Sequence, residues 1–528
     1  MFQGGFTLEA AEAVLAGSSG SSVLSSLESL VAHSLVTSIE SESGLRFSFL
    51  ETIREVAAEL EAPVAREELA ALHARHYAML ATRWRAAPTP AVRRAMERDL
   101  AADLDNLLAA HDHLVRRSDA DAGRELVAVA CAVAPLFARR GHARLSLRLL
   151  EEALAAPSRP SWGGAAEADL LVLRAEAARD LGNLAGARSD LAAALVLAEG
   201  AGEALVMARV RVRSAELIEV EGETRAARRA CDAALAALEA LPSGVARGTS
   251  AEAHARIAHA FRREGLLDEA AQHIGRAIEL VRQDDDREAL ALALYEAGVI
   301  ALFRQLHDEA LARFEEGLTI AAAGRGARQT EGALLTARAL VHQECGRLAR
   351  AVADHLAAAR IFRDIGNPHR LASALYYLGG AYLERWQLLD ARAVLLEARD
   401  AIRGVGAPRY EALIDATLGA VLALCKANEE ARGRIERARE AATACGSEPA
   451  VAATVEIFAA VCAASLDRSD HPQALARATA TCAAHATDDT RMALRVLTLL
   501  GARREGALGD AEPLVVRRGG AAFRLPGA

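Results

Sequence analysis

The chain has 528 residues and a formal net charge of −9, which argues against a nucleic-acid-binding or membrane-surface protein as a whole. Hydrophobic residues make up 52% of it but aromatics only 4%, so the core must be built from Ala, Leu and Val, a composition that suits helices. Lys426 is the only lysine and sits in Leu424-Cys425-Lys426-Ala427-Asn428, without the glycine loop that a phosphate-binding P-loop needs.

In residues 1–62, segments 7–16 and 23–32 read as short helices separated by Gly17-Ser18-Ser19-Gly20. Segments 35–40 and 45–50 alternate around residues 41–44 and predict a hairpin, and 51–61 returns to helix before Pro63. Helix, helix, hairpin, helix is a winged-helix outline. Residues 1–60 nevertheless hold eight Glu and two Arg, net −6, and segment 23–32 has no cation. A duplex binder must neutralise phosphates, so no direct nucleic-acid contact is expected here.

Residues 63–118 read as a helical linker, followed by a repeat array over 119–500. Its anchors are Ser146, Ala187, Ala227, Ala270, Ala310, Ala351, Ala391, Ala431 and Ala474, with spacings by subtraction of 41, 40, 43, 40, 41, 40, 40 and 43. A repeat of this length predicts a solenoid of helix-turn-helix units, each burying its apolar face against its neighbours. Twelve residues before each anchor stands a small residue: Ala134, Ala175, Ala215, Ala258, Gly298, Ala339, Gly379, Gly419 and Cys462. Seven residues after it stand Ala153, Ala194, Ala234, Ala277, Gly317, Ala358, Ala398 and Ala438, with Thr481 the one departure. Four residues after it come the larger plugs Leu150, Leu191, Ile274, Phe314, Leu395 and Ile435, with Cys231, His355 and Ala478 fitting less well. Turns such as Gly182-Asn183 and Gly265-Leu266 end one helix of each unit and open the next. The tail, 501–528, reads either as the start of a small β-module or as a disordered end.

This small–large–small pattern resembles the tetratricopeptide repeat (TPR) over about residues 120–485, with a period longer than the usual value of about 34. Long repeats of this kind resemble the sensor region of bacterial signal-transduction ATPases of the STAND class. The runs Phe2-Gln3-Gly4-Gly5-Phe6, Leu27-Glu28-Ser29-Leu30-Val31 and Phe49-Leu50-Glu51-Thr52-Ile53 are similar to the segment after the nucleotide-binding core of those proteins. His76-Tyr77 and Asp105-Asn106-Leu107-Leu108 are similar to their helical linker. The resemblance implies an all-α, right-handed α-solenoid with a small winged-helix-like module, here lacking the ATPase core that should precede Phe2. It also implies that the module packs on that core, and that the concave face binds ligands.

Mapping the repeat register onto the concave side gives Glu176, Arg179, Glu216, Glu219, His259, Arg262, Arg263, Tyr295, Gln343, Tyr376 and Glu384. His259, Arg262 and Arg263 lie within about one turn; arginine can clamp a carboxylate or phosphate, and Tyr295 and Tyr376 add rigid contact area. An ordinary solvated helix face is the competing reading. His73 with His76, and His111 with His113, lack a recognisable metal motif and are read as surface or core histidines. Asp284-Asp285-Asp286 is read as helix-end charge and Trp386 as packing between repeats. The seven cysteines are scattered, without a Cys-x-x-Cys pair, and are expected to be small buried residues in a reducing cytoplasm.

The expected function is a non-catalytic cytoplasmic scaffold or sensor that binds a protein or small signal in its groove, with no cofactor, metal or membrane contact. Self-association through terminal repeats stays open. The alternative is a component of a transcriptional regulator whose ATPase and DNA-binding parts lie elsewhere.

Overall fold

The computed structural model describes residues 2–15, 22–41, 44–60, 63–87, 90–139, 142–220, 223–284, 286–323, 328–403, 407–445, 449–466, 471–485 and 487–504. The linker at 17–20, the turn residues 42 and 43, Asp285 and the tail from 505 onward lie outside them. The chain divides into two compact units, Met1–Asp286 and Arg287–Ala528.

Unit 1 opens with β1 (Gly5–Thr7), α1 (Leu8–Leu15), α2 (Val23–Ala32), β2 (Val36–Ser41), β3 (Gly44–Phe49) and α3 (Glu51–Leu60). The helix, helix, hairpin, helix order matches the sequence reading. The strand β1 does not, because three residues are too few to show alternation. It pairs antiparallel with β3, giving a sheet of order β1-β3-β2. Three linker helices follow, α4 (Pro63–Arg85), α5 (Pro90–Ala102) and α6 (Leu104–Leu114).

Fully buried Asn106 on α6 fastens the first strand to this linker. Its Oδ1 accepts from the Gln3 amide at 2.8 Å, and its Nδ2 donates to the Gly5 carbonyl at 2.9 Å. Arg46 of β3 donates to the same carbonyl at 2.7 Å and pairs with Asp103 at 2.6 Å. The Phe2-Gln3-Gly4-Gly5-Phe6 run and the Asp105-Asn106-Leu107 run thus meet in space.

Four helical hairpins complete unit 1: α7 (Ala120–Arg139) with α8 (Ala143–Leu154), α9 (Gly164–Asp180) with α10 (Leu184–Ala201), α11 (Ala204–Val220) with α12 (Thr224–Leu238), and α13 (Ser243–Arg263) with α14 (Leu267–Gln283). Unit 2 has five: α15 (Arg287–Phe303) with α16 (His307–Ala323), α17 (Arg328–Glu344) with α18 (Leu348–Asp364), α19 (Pro368–Glu384) with α20 (Leu388–Ile402), α21 (Pro408–Leu424) with α22 (Asn428–Ala444), and α23 (Pro449–Leu466) with α24 (His471–Ala484). A last helix, α25 (Asp488–Arg504), carries the helical pattern past residue 500. Within each unit this is the expected TPR-like solenoid, one hairpin per anchor.

The small-residue columns have the steric cause expected of them. A Cβ added to Gly379 would lie 2.6 Å from Cγ of the plug Leu395, and one on Gly419 would lie 3.1 Å from Cδ1 of Ile435. Gly298 faces the Phe314 ring in the same way. The plug at the fourth position after the anchor therefore sits on the small residue twelve before it. Cys231 and His355, poorer matches by sequence, are completely buried at that same position. Of the seven cysteines four are buried, but Cys345 and Cys445 are half-buried and Cys425 is exposed, so burial does not hold for all.

The turn also repeats. Five residues before the anchor the backbone is left-handed at Gly182, Gly265 and Gly346, and equally at Gln305, Trp386 and Lys426. The next amide reaches back five residues, as from Leu306 to the Ala301 carbonyl and from Gln387 to the Tyr382 carbonyl, both at 2.9 Å. These bonds satisfy orphan carbonyls at the helix end. Trp386 is thus a turn residue, and Arg503 of α25 lies 4.8 Å from the centre of its ring.

The packing of the plug on the small column gives a direct test. Gly379→Leu should destabilise the protein by about 1–3 kcal/mol through overpacking against Leu395, read as a lower denaturant midpoint. An unchanged midpoint would mean that the hairpin does not close at this position.

Candidate functional site

The faces expected to bind lie on the first helix of each hairpin, and the two units treat them differently. In unit 1 the expected residues come together as one ion-pair ladder across α9, α11 and α13. Arg213 pairs with Glu176 at 2.6 Å, with Glu216 at 3.1 Å and with Glu252. Arg179 reaches Glu216 at 2.5 Å, and Arg256 pairs with Glu216 and Glu219. His259 Nδ1 lies 3.4 Å from Glu219, whose backbone carbonyl accepts from Arg263. Arg262 is half-buried on the same helix.

Most rungs span about one repeat, which is why equivalent positions of successive helices meet. Burial works against the Glu216 carboxylate, yet Arg213, Arg256 and Arg179 hold it below the usual range. Burial pushes Glu176 up, with Arg213 opposing. Arg179, His259 and Arg263 are therefore engaged by the protein's own acids and carbonyls. Arg213, Glu252 and Arg256 complete the ladder and were missed, although Arg213 lies 37 residues from Glu176, Arg256 40 from Glu216, and Glu252 39 from Arg213.

In unit 2 α25 covers part of the face. Arg495 donates to both Glu384 oxygens, at 2.9 and 3.0 Å, and reaches Glu344 at 2.8 Å. Arg491 lies 3.2 Å from Glu344 and also pairs with Asp488. Glu384 in turn accepts from Gln343 Nε2 at 3.1 Å, and Gln343 Oε1 lies 3.0 Å from His355 Nε2. The ring nitrogen therefore donates, and His355 is neutral. Complete burial lowers its pKa to about 3. Asp489 is buried against Arg409 at 2.8 Å, and Tyr376, fully buried, lies beside it. Gln343, Tyr376 and Glu384 are thus brought together, but as interior groups that hold a helix of the same chain. The α25 residues were missed because they follow the last repeat.

Between α15, α17, α19 and α21 an open space remains, a cavity of about 200 Å³. Its lining includes Tyr295, Phe303, Tyr377, Tyr410, Arg370 and, from α25, Asp488. Tyr295 is where the register placed it; the contact area expected of Tyr376 comes from its neighbour Tyr377. The Tyr410 hydroxyl donates to Ser373 at 2.9 Å, which fixes one aromatic wall. A larger cavity of about 360 Å³ between α22, α23 and α24 is lined by alanines for half of its residues; of its charges Arg439 and Glu456 pair with each other, and Arg477 is the third.

The other sequence candidates resolve locally. His73 and His76 are buried beside Tyr77, and desolvation lowers the pKa of His73 to about 4. Among the described residues, one trio of metal-ligating type has its atoms within 4.8 Å of one another: buried His111 with exposed Asp112 and Glu152. Asp284 ends α14 rather than opening a helix, and its carboxylate accepts from Arg247 at 2.5 Å. No helix among the described residues is long and apolar enough to cross a membrane.

No protein-family model matches the sequence, and no curated protein matches it. Solved structures do. One is a STAND signal-transduction ATPase with a tetratricopeptide repeat sensor from Pyrococcus horikoshii, at 16% identity and a TM-score of 0.55, over 83% of this chain and 60% of that one. The chain thus spans about 60% of the length of that ATPase. The quorum sensor NprR from B. thuringiensis is similar at 14% identity and a TM-score of 0.49, over 67% of this chain and 93% of that one. A Rap protein complexed with competence and sporulation factor is similar at 14% identity and a TM-score of 0.44, over 71% and 99%. The first likeness supports the TPR-like fold; identities this low carry no function across.

His355 yields a pH prediction. Its folded pKa lies below that of the unfolded chain, so the unfolded state binds the extra proton and stability falls as pH drops from about 6.5 toward 3. His355→Leu, which supplies the plug found in other repeats, should remove about 1.4 kcal/mol per pH unit of that acid sensitivity. Denaturant melts at pH 7 and pH 5 read the difference; equal slopes in both proteins would mean that the imidazole is not desolvated.

Proposed function

We propose that this chain is a non-catalytic sensor scaffold that binds a signal on the inner face of unit 2. The observation that carries the reading is the aromatic cavity bounded by Tyr295, Phe303, Tyr377 and Tyr410, an open concave space on the face the repeat register assigns to binding. The unit 1 face supports it by contrast, because its charges are already matched within the ladder. Signal transduction in the cytoplasm is the setting this reading implies, with a small molecule or protein segment as ligand and no cofactor required.

A second reading, a component of a transcriptional regulator, draws support from the N-terminal module, which we read as winged-helix-like. Ile39, Leu45, Leu50, Val56 and Leu60 are all at least half exposed there, an apolar face suited to packing on an ATPase core. The net charge of −6 over residues 1–60 and the tie between Arg46 and Asp103 leave little to attract DNA.

Hydrogen exchange of the full chain tests the main reading. Addition of small-molecule and protein fractions from the source organism should slow exchange in α15, α17 and α19. Protection confined to the N-terminal module would favour the second reading, and no protection anywhere would contradict both.

A further inference from the structure

The groups at the inner end of unit 2 do not balance. Glu344, Glu384, Asp488 and Asp489 face three guanidiniums, those of Arg409, Arg491 and Arg495. Among the described residues four carboxylates thus pair with three guanidiniums, an excess of one negative charge in a largely desolvated place. Burial pushes Glu384, Asp488 and Asp489 upward in pKa, while Arg495 and Arg491 hold Glu344 below its usual range. Of these acids Asp488 is the one that lines the cavity. The opposite charge on the same lining is Arg370, whose exposed guanidinium has no ion-pair partner among the described residues. The rest of the lining includes the rings of Tyr295, Phe303, Tyr377 and Tyr410, with Leu340 and Val299.

We propose that this cavity binds a small zwitterion of the free amino acid type, its ammonium group at Asp488 and its carboxylate at Arg370. The ammonium supplies the missing cation, and the tyrosine faces favour it through their quadrupoles. Arg370 meets the carboxylate as a planar fork meets two oxygens. The apolar walls select an aliphatic or aromatic side chain, and a cavity below the usual range for drug-sized ligands limits the molecule to a single residue or a short peptide. Because Asp488 opens α25, the ligand also touches the helix that covers part of this face, so occupancy and the seating of α25 are linked. The inference rests on reading the inner face of unit 2 as a binding surface.

Titration calorimetry of the full chain against the free amino acids, with their N-acetyl and C-amide derivatives and dipeptides, provides the test. At least one apolar or aromatic amino acid should bind at millimolar concentration or below. Blocking either end should weaken it about tenfold or more. Preferred binding of a dipeptide with both ends free would also support the proposal and identify the longer ligand. Asp488→Asn should lower affinity for the free amino acid by a similar factor. Because that change touches α25, Arg370→Gln, at an exposed position, serves as the second variant: the free amino acid and its amide should then bind equally. No binding by any of these compounds, or equal binding of blocked and free forms to the unaltered protein, would overturn the proposal. If exchange protection of α15, α17 and α19 by natural fractions survived that failure, the ligand class would be wrong and the binding face right.

Discussion

Everything in this molecule depends on how closely the two helices of each hairpin approach. A plug four residues after the anchor rests directly on a small residue twelve before it, as Leu395 does on Gly379 and Ile435 on Gly419. The contact commits one side of every first helix to its own hairpin. Neighbouring hairpins take a second side, and the remaining side carries what polar groups the helix has. Since the period is near 40, those groups recur at nearly the same height and meet their equivalents one repeat on.

The two units use that geometry in opposite ways. In unit 1 acids and arginines alternate between successive helices, so Glu216 can be shared by Arg179, Arg213 and Arg256. Such a face is full. In unit 2 it is α25 that brings cations to the acids Glu344 and Glu384, in Arg491 and Arg495. Breaking a buried pair of this kind leaves uncompensated charge, which makes the placement of α25 specific more than it makes it stable. The helix converts part of an open face into a cavity with a carboxylate in its lining.

The fold was legible because its cause is local and repeated. Alanine and glycine columns, plugs and turn glycines all report one steric requirement, and nine copies make it visible. The left-handed turns at Gln305, Trp386 and Lys426 were not legible, since the backbone position is kept while the glycine is not. Of the candidate site, the register picked out Glu176, Glu216, Glu219, Gln343 and Glu384, all of which engage polar groups of other helices. The repeat-length offset that marks Arg213 and Arg256 could not by itself say that they would engage the first three, because pairing depends on side-chain reach across a repeat. Tyr376 and Tyr377 show the limit most sharply: one residue, about 100° of helix, separates a fully buried ring from a cavity wall. The α25 latch lies beyond the last anchor, where the periodic argument stops.

The central claim is that α25 is held on the inner face of unit 2 by Arg495 between Glu344 and Glu384. A double-mutant cycle pairing Arg495→Met with Glu384→Gln, read by denaturant unfolding of the full chain, measures that interaction directly. The structure predicts a coupling energy of about 1.5–3 kcal/mol. Additivity within about 0.5 kcal/mol would contradict it, and would mean that apolar packing alone seats the helix.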